Sequence, residues 1–448
     1  MDHIGLFPLF YFPEIGSAWL MGITGTIHIL ASHTSVGAAI LFAFLAHKAY
    51  TENRPDLYDY MKRYGMFLLI FSYVIGSITG PGIWYTATAA SPRGISALIH
   101  NFVWVWATEW VFFVYEVVGV FALIYFIGKI DRKTHLRLTY TFALASVGTL
   151  MLIIGIISFM MWPGTDAFYT TGSASDAFFG INTFPHMFLR IGFMVMLSGV
   201  IGLLISSALP DQELRKELTR KMGFVSMLGG FLTMFFFMWY VSTLPESAEL
   251  LLEIYLPDIM ATRIWLMVAF TVYFAVAIIF PRMISRPLAA TMIAVVLIVG
   301  LWPGEKLRES LRKPYVAGRY VYSNQIISRD VPGKGIKGEV EKLARVGFLK
   351  ASPWVPERLK TITPENKLEA GELLTKRACS NCHSLEPNGK FRPLMAKVAG
   401  WDAATIKAFM QNSLATGAIT YMPKIDLPDE EFDAMAAWIA TQNQQGAK

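Results

Sequence analysis

The sequence predicts an all-α protein: a polytopic membrane helix bundle of about eight spans, followed by a C-terminal all-α polar domain. Three observations carry this. Hydrophobic residues make up 54% of the 448-residue chain and charged residues only 16%, with a mean hydropathy of +0.44. Apolar runs of the length a bilayer core requires, about 20 residues as a helix, recur along the first two thirds. The net positive charge lies beyond them: residues 304–448 contain 22 Lys/Arg and 16 Asp/Glu, whereas residues 1–303 contain 17 of each. Pro303 marks the boundary. The expected division is a membrane domain over 1–303, a linker over 304–365 and a terminal domain over 366–448. No cleavable leader is expected, because the first 16 residues hold no Lys or Arg.

The spans are expected near 17–46, 64–88, 97–127, 138–162, 184–208, 222–244, 258–281 and 287–303. The connecting loops alternate in charge. Lys48, Arg54, Lys62 and Arg63 follow the first span, Lys129, Arg132, Lys133 and Arg137 the third, Arg215, Lys216, Arg220 and Lys221 the fifth, and Arg282 and Arg286 the seventh. The opposite loops contain one basic residue, Arg93. By the positive-inside rule both termini face the outside of a bacterial or archaeal cytoplasmic membrane.

Both cysteines of the chain lie in one motif of the terminal domain, Cys379-Ser-Asn-Cys382-His383, the C-x-x-C-H pattern of covalent c-type haem. Two thiols at this spacing each form a thioether to a haem vinyl group, and the adjacent His383 reaches the iron. A zinc knuckle or a disulfide is the alternative, disfavoured because the tail holds no second cysteine pair and no further histidine. Met422, before Pro423 in a polar loop, is the candidate sixth ligand; Met410 and Met435 fall in amphipathic patterns that read as core. A helix runs into the motif and another, with acidic residues in its first turn, closes the chain. Gly371 and Trp438 are placed to let the two cross closely. Over residues 366–448 the chain resembles a small class I cytochrome c, which implies one covalent haem c.

Within the spans, ionisable side chains are costly unless paired or ligated, so each is a functional candidate. His28 and His33 lie in the first span, Glu109 and Glu116 in the third, His186 and Arg190 at the start of the fifth, and Arg263 at the start of the seventh. His47, His100 and His135 fall at span ends and read as solvated or interfacial. His28 and His33 are about 140° apart around a helix, so one faces a cofactor and the other a hydrogen-bond partner; spacing does not choose between them. Glu109 and Glu116, two turns apart, share one face and suit a proton path or a metal, or else a protonated, hydrogen-bonded pair. His186 and Arg190 share a face and can supply a haem ligand and a cation for its propionates, with Arg263 a second cation and Met267, one turn on, a thioether ligand.

HILASHTSVGAA, SYVIGSITG, WATEWVFFVYE, FPHMFLR and RIWLMVAF resemble, in this order, segments of cytochrome bd oxidase subunit I. The resemblance, over roughly 15–320, implies that His28 ligates a high-spin haem, that Glu109 and Glu116 line the high-spin haems and a proton route, and that His186 and Met267 ligate a low-spin haem b. His33 is then an addition of this chain. One low-spin haem b and one or two further haems are implied. The chain departs from the family in a short interval of about 15 residues where quinol binds, in a missing ninth span and in the added haem domain. A late membrane glutamate ligates haem in the family; here Glu305 and Glu309 follow Pro303 and read as external.

The leading reading is a respiratory oxidoreductase subunit passing electrons between haem b in the membrane and haem c on the outer face. The alternatives are a complete terminal oxidase that reduces oxygen, and a haem-bearing anchor of a larger complex. Expected partners are the membrane, a second membrane subunit or other respiratory subunits, a soluble or membrane cytochrome c, and quinol; nucleic acid is not expected.

Overall fold

The computed structural model describes residues 7–8, 10–13, 16–389 and 392–446, and within them not the side chains of 18, 256–263 and 444–446. Helix α1 covers Ser17–Thr51. The second span is one continuous rod made of α2 (Pro55–Leu68), a π-helical stretch (Leu69–Ile75) and α3 (Gly76–Ala90). Helices α4 (Pro92–Phe126) and α5 (Arg132–Met161) follow, then two short helices, α6 (Ala167–Thr171) and α7 (Ala174–Phe178). Helices α8 (Thr183–Ser207), α9 (Gln212–Val241) and α10 (Glu246–Ile279) lead to α11 (Arg286–Val295), which continues through a π-helical turn (Val296–Leu301) into α12 (Trp302–Leu311).

Among the described residues, seven helices are long and apolar enough to cross a membrane, and Ile264–Ile279 of α10 forms a shorter apolar helix. Seven of the eight expected spans are met in this way, the shorter apolar helix lies at the expected seventh, and the chain is a multi-pass membrane protein. The spans divide into two classes. The apolar windows of α1, α5 and α8 are 67%, 56% and 61% buried inside the bundle, whereas those of α9, the α2–α3 rod and the α11–α12 rod are each 17% buried. Polar side chains of the first three helices are therefore held away from lipid.

Close helix approach draws these inner elements together. At Gly37 of α1 a Cβ would stand 2.2 Å from the Met194 carbonyl oxygen of α8, so only glycine permits this crossing. Small residues at membrane helix interfaces give backbones this proximity where lipid supplies no hydrophobic drive. One turn earlier on both helices stand His33 and Arg190.

The last span differs from expectation. Pro303 does not end it: the rod Arg286–Leu311 runs through the proline, which occupies the first turn of α12. Proline at that position lacks only an N–H that a helix start leaves unpaired, and the preceding π-helical turn supplies the altered backbone register.

Beyond α12 a small antiparallel hairpin, β1 (Tyr315–Ala317) and β2 (Val321–Tyr322), opens the linker, with Tyr315 facing Tyr322. The linker then carries α13 (Val340–Val346) and α14 (Phe348–Ala351). The terminal domain consists of α15 (Lys367–Cys379), α16 (Leu394–Lys397), α17 (Ala403–Phe409) and α18 (Asp429–Gly446). Helices α15 and α18 cross where expected: a Cβ on Gly371 would meet the Ala434 carbonyl oxygen at 2.0 Å and Trp438 Cβ at 3.0 Å. Glu431, buried in the first turn of α18, accepts from the Phe348 and Leu349 N–H groups at 2.8 and 2.9 Å and ties the linker to the domain. Burial holds its carboxyl above the ordinary range.

The linker is also tied to the bundle. Arg93, the lone basic residue of its loop class, is buried and pairs with Glu339 at 2.5 Å, and its Nη1 donates to the Gln325 carbonyl at 2.9 Å. The Gln325 side chain accepts from the N–H groups of Arg93 and Gly94 at the start of α4.

Candidate functional site

Two constellations of chemistry-bearing residues lie toward the same end of the bundle. The first is in the terminal domain. Helix α15 delivers Cys379 at its last residue, and the chain turns so that the Cys382 and His383 N–H groups both donate to the Cys379 carbonyl. The two cysteines are unbonded and burial pushes the Cys379 thiol up to about 12. His383 Nδ1 donates to the Arg392 carbonyl at 2.9 Å. That bond commits one ring nitrogen and leaves Nε2 with its lone pair, the tautomer an iron ligand needs. Burial keeps the imidazole below its ordinary pKa, hence neutral. Met422 is partly exposed in an irregular loop, whereas Met410 and Met435 are buried in the domain core at 4% and 1% exposure. The donor set fits a covalent haem c, with Met422 the one of the three methionines not used in packing.

The second constellation is in the bundle. His186 of α8 is 1% exposed. Its Nδ1 lies 3.0 Å from Ser158 Oγ of α5, and its Nε2 accepts from Arg190 Nε at 3.2 Å. Arg190 Nη1 also lies 3.3 Å from His33 Nε2 of α1 and donates to Glu305 Oε1 of α12 at 2.5 Å. Glu305 Oε2 accepts from Arg308 Nε at 2.9 Å, and Tyr240 of α9 lies beside His186 with ring centroids 5.0 Å apart and planes tilted by 37°. Five helices thus converge on two guanidiniums, one carboxylate and two imidazoles.

One of these residues corrects the sequence reading. Glu305, expected outside the membrane, is the hub of the cluster with an 11% exposed side chain, because α12 carries the last span past Pro303. His33, read as an addition of this chain and as one of two histidines of which one meets a hydrogen-bond partner, is 5% exposed and faces Arg190. Arg308 and Ser158 were not singled out; their signal is helical spacing, Arg308 lying one turn after Glu305. The cluster sets two guanidiniums against one carboxylate. A buried excess cation calls for an anion, and a haem b bearing propionates beside His186 would meet that need, with Arg190 turning from His186 Nε2 to the propionates so that the ring nitrogen is left to the iron.

The remaining candidates are placed separately. Met267 on α10 is 40% exposed, and among the described contacts none joins it to His186. The Arg263 side chain lies outside the described residues. His28 Nδ1 lies 3.1 Å from Thr79 Oγ1, whose own proton goes to the Ile75 carbonyl at 2.7 Å, and the ring also bonds to the Gly76 backbone. Glu116 is 5% exposed beside Ser146 and Thr149 of α5, with Oε1 unpartnered. Glu109 lies on the same helix face, half-exposed at the outside of the bundle. The Tyr73 hydroxyl oxygen, in the π-helical stretch, accepts from Ser35 Oγ at 2.8 Å, and Tyr73 lies near Glu116. Of the span-end histidines, His47 and His100 are exposed as expected; His135 is buried instead, with Nε2 donating to the Leu123 carbonyl at 3.1 Å.

Comparisons with known proteins agree with both halves. Residues 366–439 match the family model of cytochrome c oxidase, cbb3-type, subunit III. Among solved structures, the bd oxidase from Geobacillus thermodenitrificans superposes with a TM-score of 0.57 at 16% identity, covering 72% of this chain and 91% of that one. No curated protein matches the sequence. The chain therefore joins a bundle of bd-oxidase-like fold to a C-terminal cytochrome c domain.

Proposed function

We propose that this chain is a respiratory membrane oxidoreductase subunit that passes electrons between a low-spin haem b at His186 and a haem c bound by Cys379, Cys382 and His383. The observation that carries the reading is the pairing of a C-x-x-C-H motif whose histidine keeps Nε2 open with a buried, net-positive histidine–arginine cluster at the neighbouring end of the bundle. Each haem supplies a reversible one-electron iron couple. The protein's part is to fix each ring: Ser158 orients His186, the Arg392 carbonyl orients His383, and Arg190 and Arg308 offer charge to propionates. Met267, as the second ligand at His186, and Arg263, as a further cation, rest on the resemblance to subunit I alone. The charge asymmetry of the loops supports an orientation with both termini on the outer face of a cytoplasmic membrane. A soluble or membrane cytochrome c and a second membrane subunit are the partners this reading calls for.

A second reading is favoured by His28. Its imidazole, held by Thr79 on one side, suits a haem ligand, and Glu116, Ser146 and Thr149 lie in the same bundle as groups able to relay protons. With further haem there the chain would be a complete terminal oxidase. The optical spectrum decides. The first reading expects b and c bands from a chain whose reduced form does not change on adding carbon monoxide; the second expects a high-spin haem that binds it.

A further inference from the structure

The loop that carries both cysteines and the ligating histidine is the face of the cytochrome domain that meets the bundle. Gly16, just before α1, has φ +77° and lies against it: a Cβ built there would stand 3.7 Å from the His383 carbonyl and the Ser384 nitrogen. The Tyr11 hydroxyl donates to the Glu386 carboxylate at 2.5 Å and accepts from the Leu385 N–H at 3.1 Å. From the other side Asn381 Nδ2 donates to the Ser323 carbonyl, and Cys382 Sγ lies 3.5 Å from Ser323 Oγ. Ser323 follows the hairpin that Gln325 and Arg93 fasten to α4. The domain is thus clamped by the N-terminal segment and by the linker at once.

From this contact an aromatic pair leads inward. Trp19, one turn into α1, stacks on Trp302 at the start of α12, with ring centroids 6.2 Å apart and planes 27° from parallel. Glu305 follows Trp302 by one turn and holds Arg190, which touches His186. The ordinary reading of a tryptophan near a span end is an interfacial anchor whose ring points outward. Other tryptophans of this chain fit that reading, Trp104 being 81% and Trp265 75% exposed. Trp19 and Trp302 are instead partly buried and turned on each other.

We propose that the Trp19–Trp302 stack is the electron bridge between the haem c site at His383 and the haem b site at His186, the cytochrome domain being a docked relay rather than a tethered carrier that swings. The proposal rests on the two haem sites of the proposed function. Electron transfer through protein weakens steeply with distance and with gaps between groups, and two stacked π systems close the gap between the start of α1 and α12. One electron moves per transfer. The iron at His383 changes between ferrous and ferric as the iron at His186 makes the opposite change, and no bond or proton shifts along the pair.

The test uses the full chain loaded with both haems. Haem c is reduced by a flash-excited ruthenium dye, and redistribution to haem b is followed at their separate absorption bands. Trp19→Leu and Trp302→Leu should each slow redistribution several-fold and the double variant further, with both spectra and both midpoint potentials kept. Trp354→Leu, at an exposed linker position, should leave the rate unchanged. Trp19→Phe and Trp302→Phe, which keep a ring and the packing, should fall between leucine and wild type and serve where a leucine variant fails to fold. Docking is read without electron transfer: Tyr11→Phe should speed hydrogen exchange at the Leu385 amide and slow redistribution. A wild-type rate in the double variant with intact spectra overturns the bridge. A wild-type chain lacking a haem b band overturns the proposed function itself, and does so before any rate is measured.

Discussion

Replacing Glu305 by glutamine keeps the shape of the side chain and removes the only negative charge in the bundle cluster. In the native arrangement its two oxygens accept from Arg190 at 2.5 Å and Arg308 at 2.9 Å, and the three side chains are 11%, 9% and 21% exposed. In Glu305→Gln two guanidiniums face a neutral amide. Breaking a buried ion pair from one side costs about 3–5 kcal/mol, because the remaining charge is left uncompensated. The partial exposure of Arg308 places the expectation at the lower end, about 3 kcal/mol. Were Glu305 outside the membrane, as its position after Pro303 implies, the loss would be about 0–1 kcal/mol. Thermal unfolding of the purified holoprotein in detergent separates the two, the larger loss giving the larger fall in melting temperature. A second variant isolates charge from shape. Glu305→Gln with Arg308→Gln restores the wild-type net charge of the cluster and should recover part of the loss, a coupling that only interacting residues show. The reasoning is refuted if Glu305→Gln melts within about 1 kcal/mol of wild type, the surface value, or if the double variant melts at the sum of the two single losses.

Three further outcomes follow from the sites. Denaturing electrophoresis with haem-peroxidase staining should show a band at full chain mass, from cells that mature haem c, and Cys379→Ala or Cys382→Ala should weaken or abolish it. Met422→His should lower the haem c midpoint potential and remove the far-red sulfur-to-iron band, whereas Met410→Leu, a core substitution, should leave the band in place and cost stability of less than about 1.5 kcal/mol. His186→Ala should remove one low-spin b signal while haem c persists; an unchanged b spectrum would place the haem elsewhere, and Met267→Leu then shows whether the residue carried by resemblance takes any part.

The membrane fold was legible because its signals are long and redundant. A span is some twenty apolar residues, and the basic loops repeat the same message four times. The haem c motif was legible because three residues suffice for its chemistry. Gly371 and Trp438 were readable as a crossing because the α15 and α18 patterns left one small and one large residue at matching positions. The bundle cluster was legible only in part. His186 and Arg190 announced themselves by sharing a helix face, but Glu305 was hidden behind Pro303, a residue that stops a helix from inside and is tolerated at its first turn. His33 was singled out but its partner was hidden, lying 157 positions away and brought near by Gly37, whose role depends on what α8 places opposite it. His135 at a span end was misread for a related reason: the Leu123 carbonyl that buries it belongs to another helix.

The contact between Tyr11 and Glu386 joins residues 375 positions apart, and Arg93 reaches Glu339 across 246. Both contacts give the chain an order of assembly. The N-terminal segment and the start of α4 are synthesised early, yet Arg93 has no Glu339 until the linker has been made, and Tyr11 has no Glu386 until the final domain has been made and brought to the same end of the bundle. Until then a buried guanidinium and a tyrosine hydroxyl remain open to solvent. Completion of the last domain is therefore also completion of the first span's cap, so a chain truncated before the linker should be handled by the cell as an unfinished membrane protein and not as a smaller finished one.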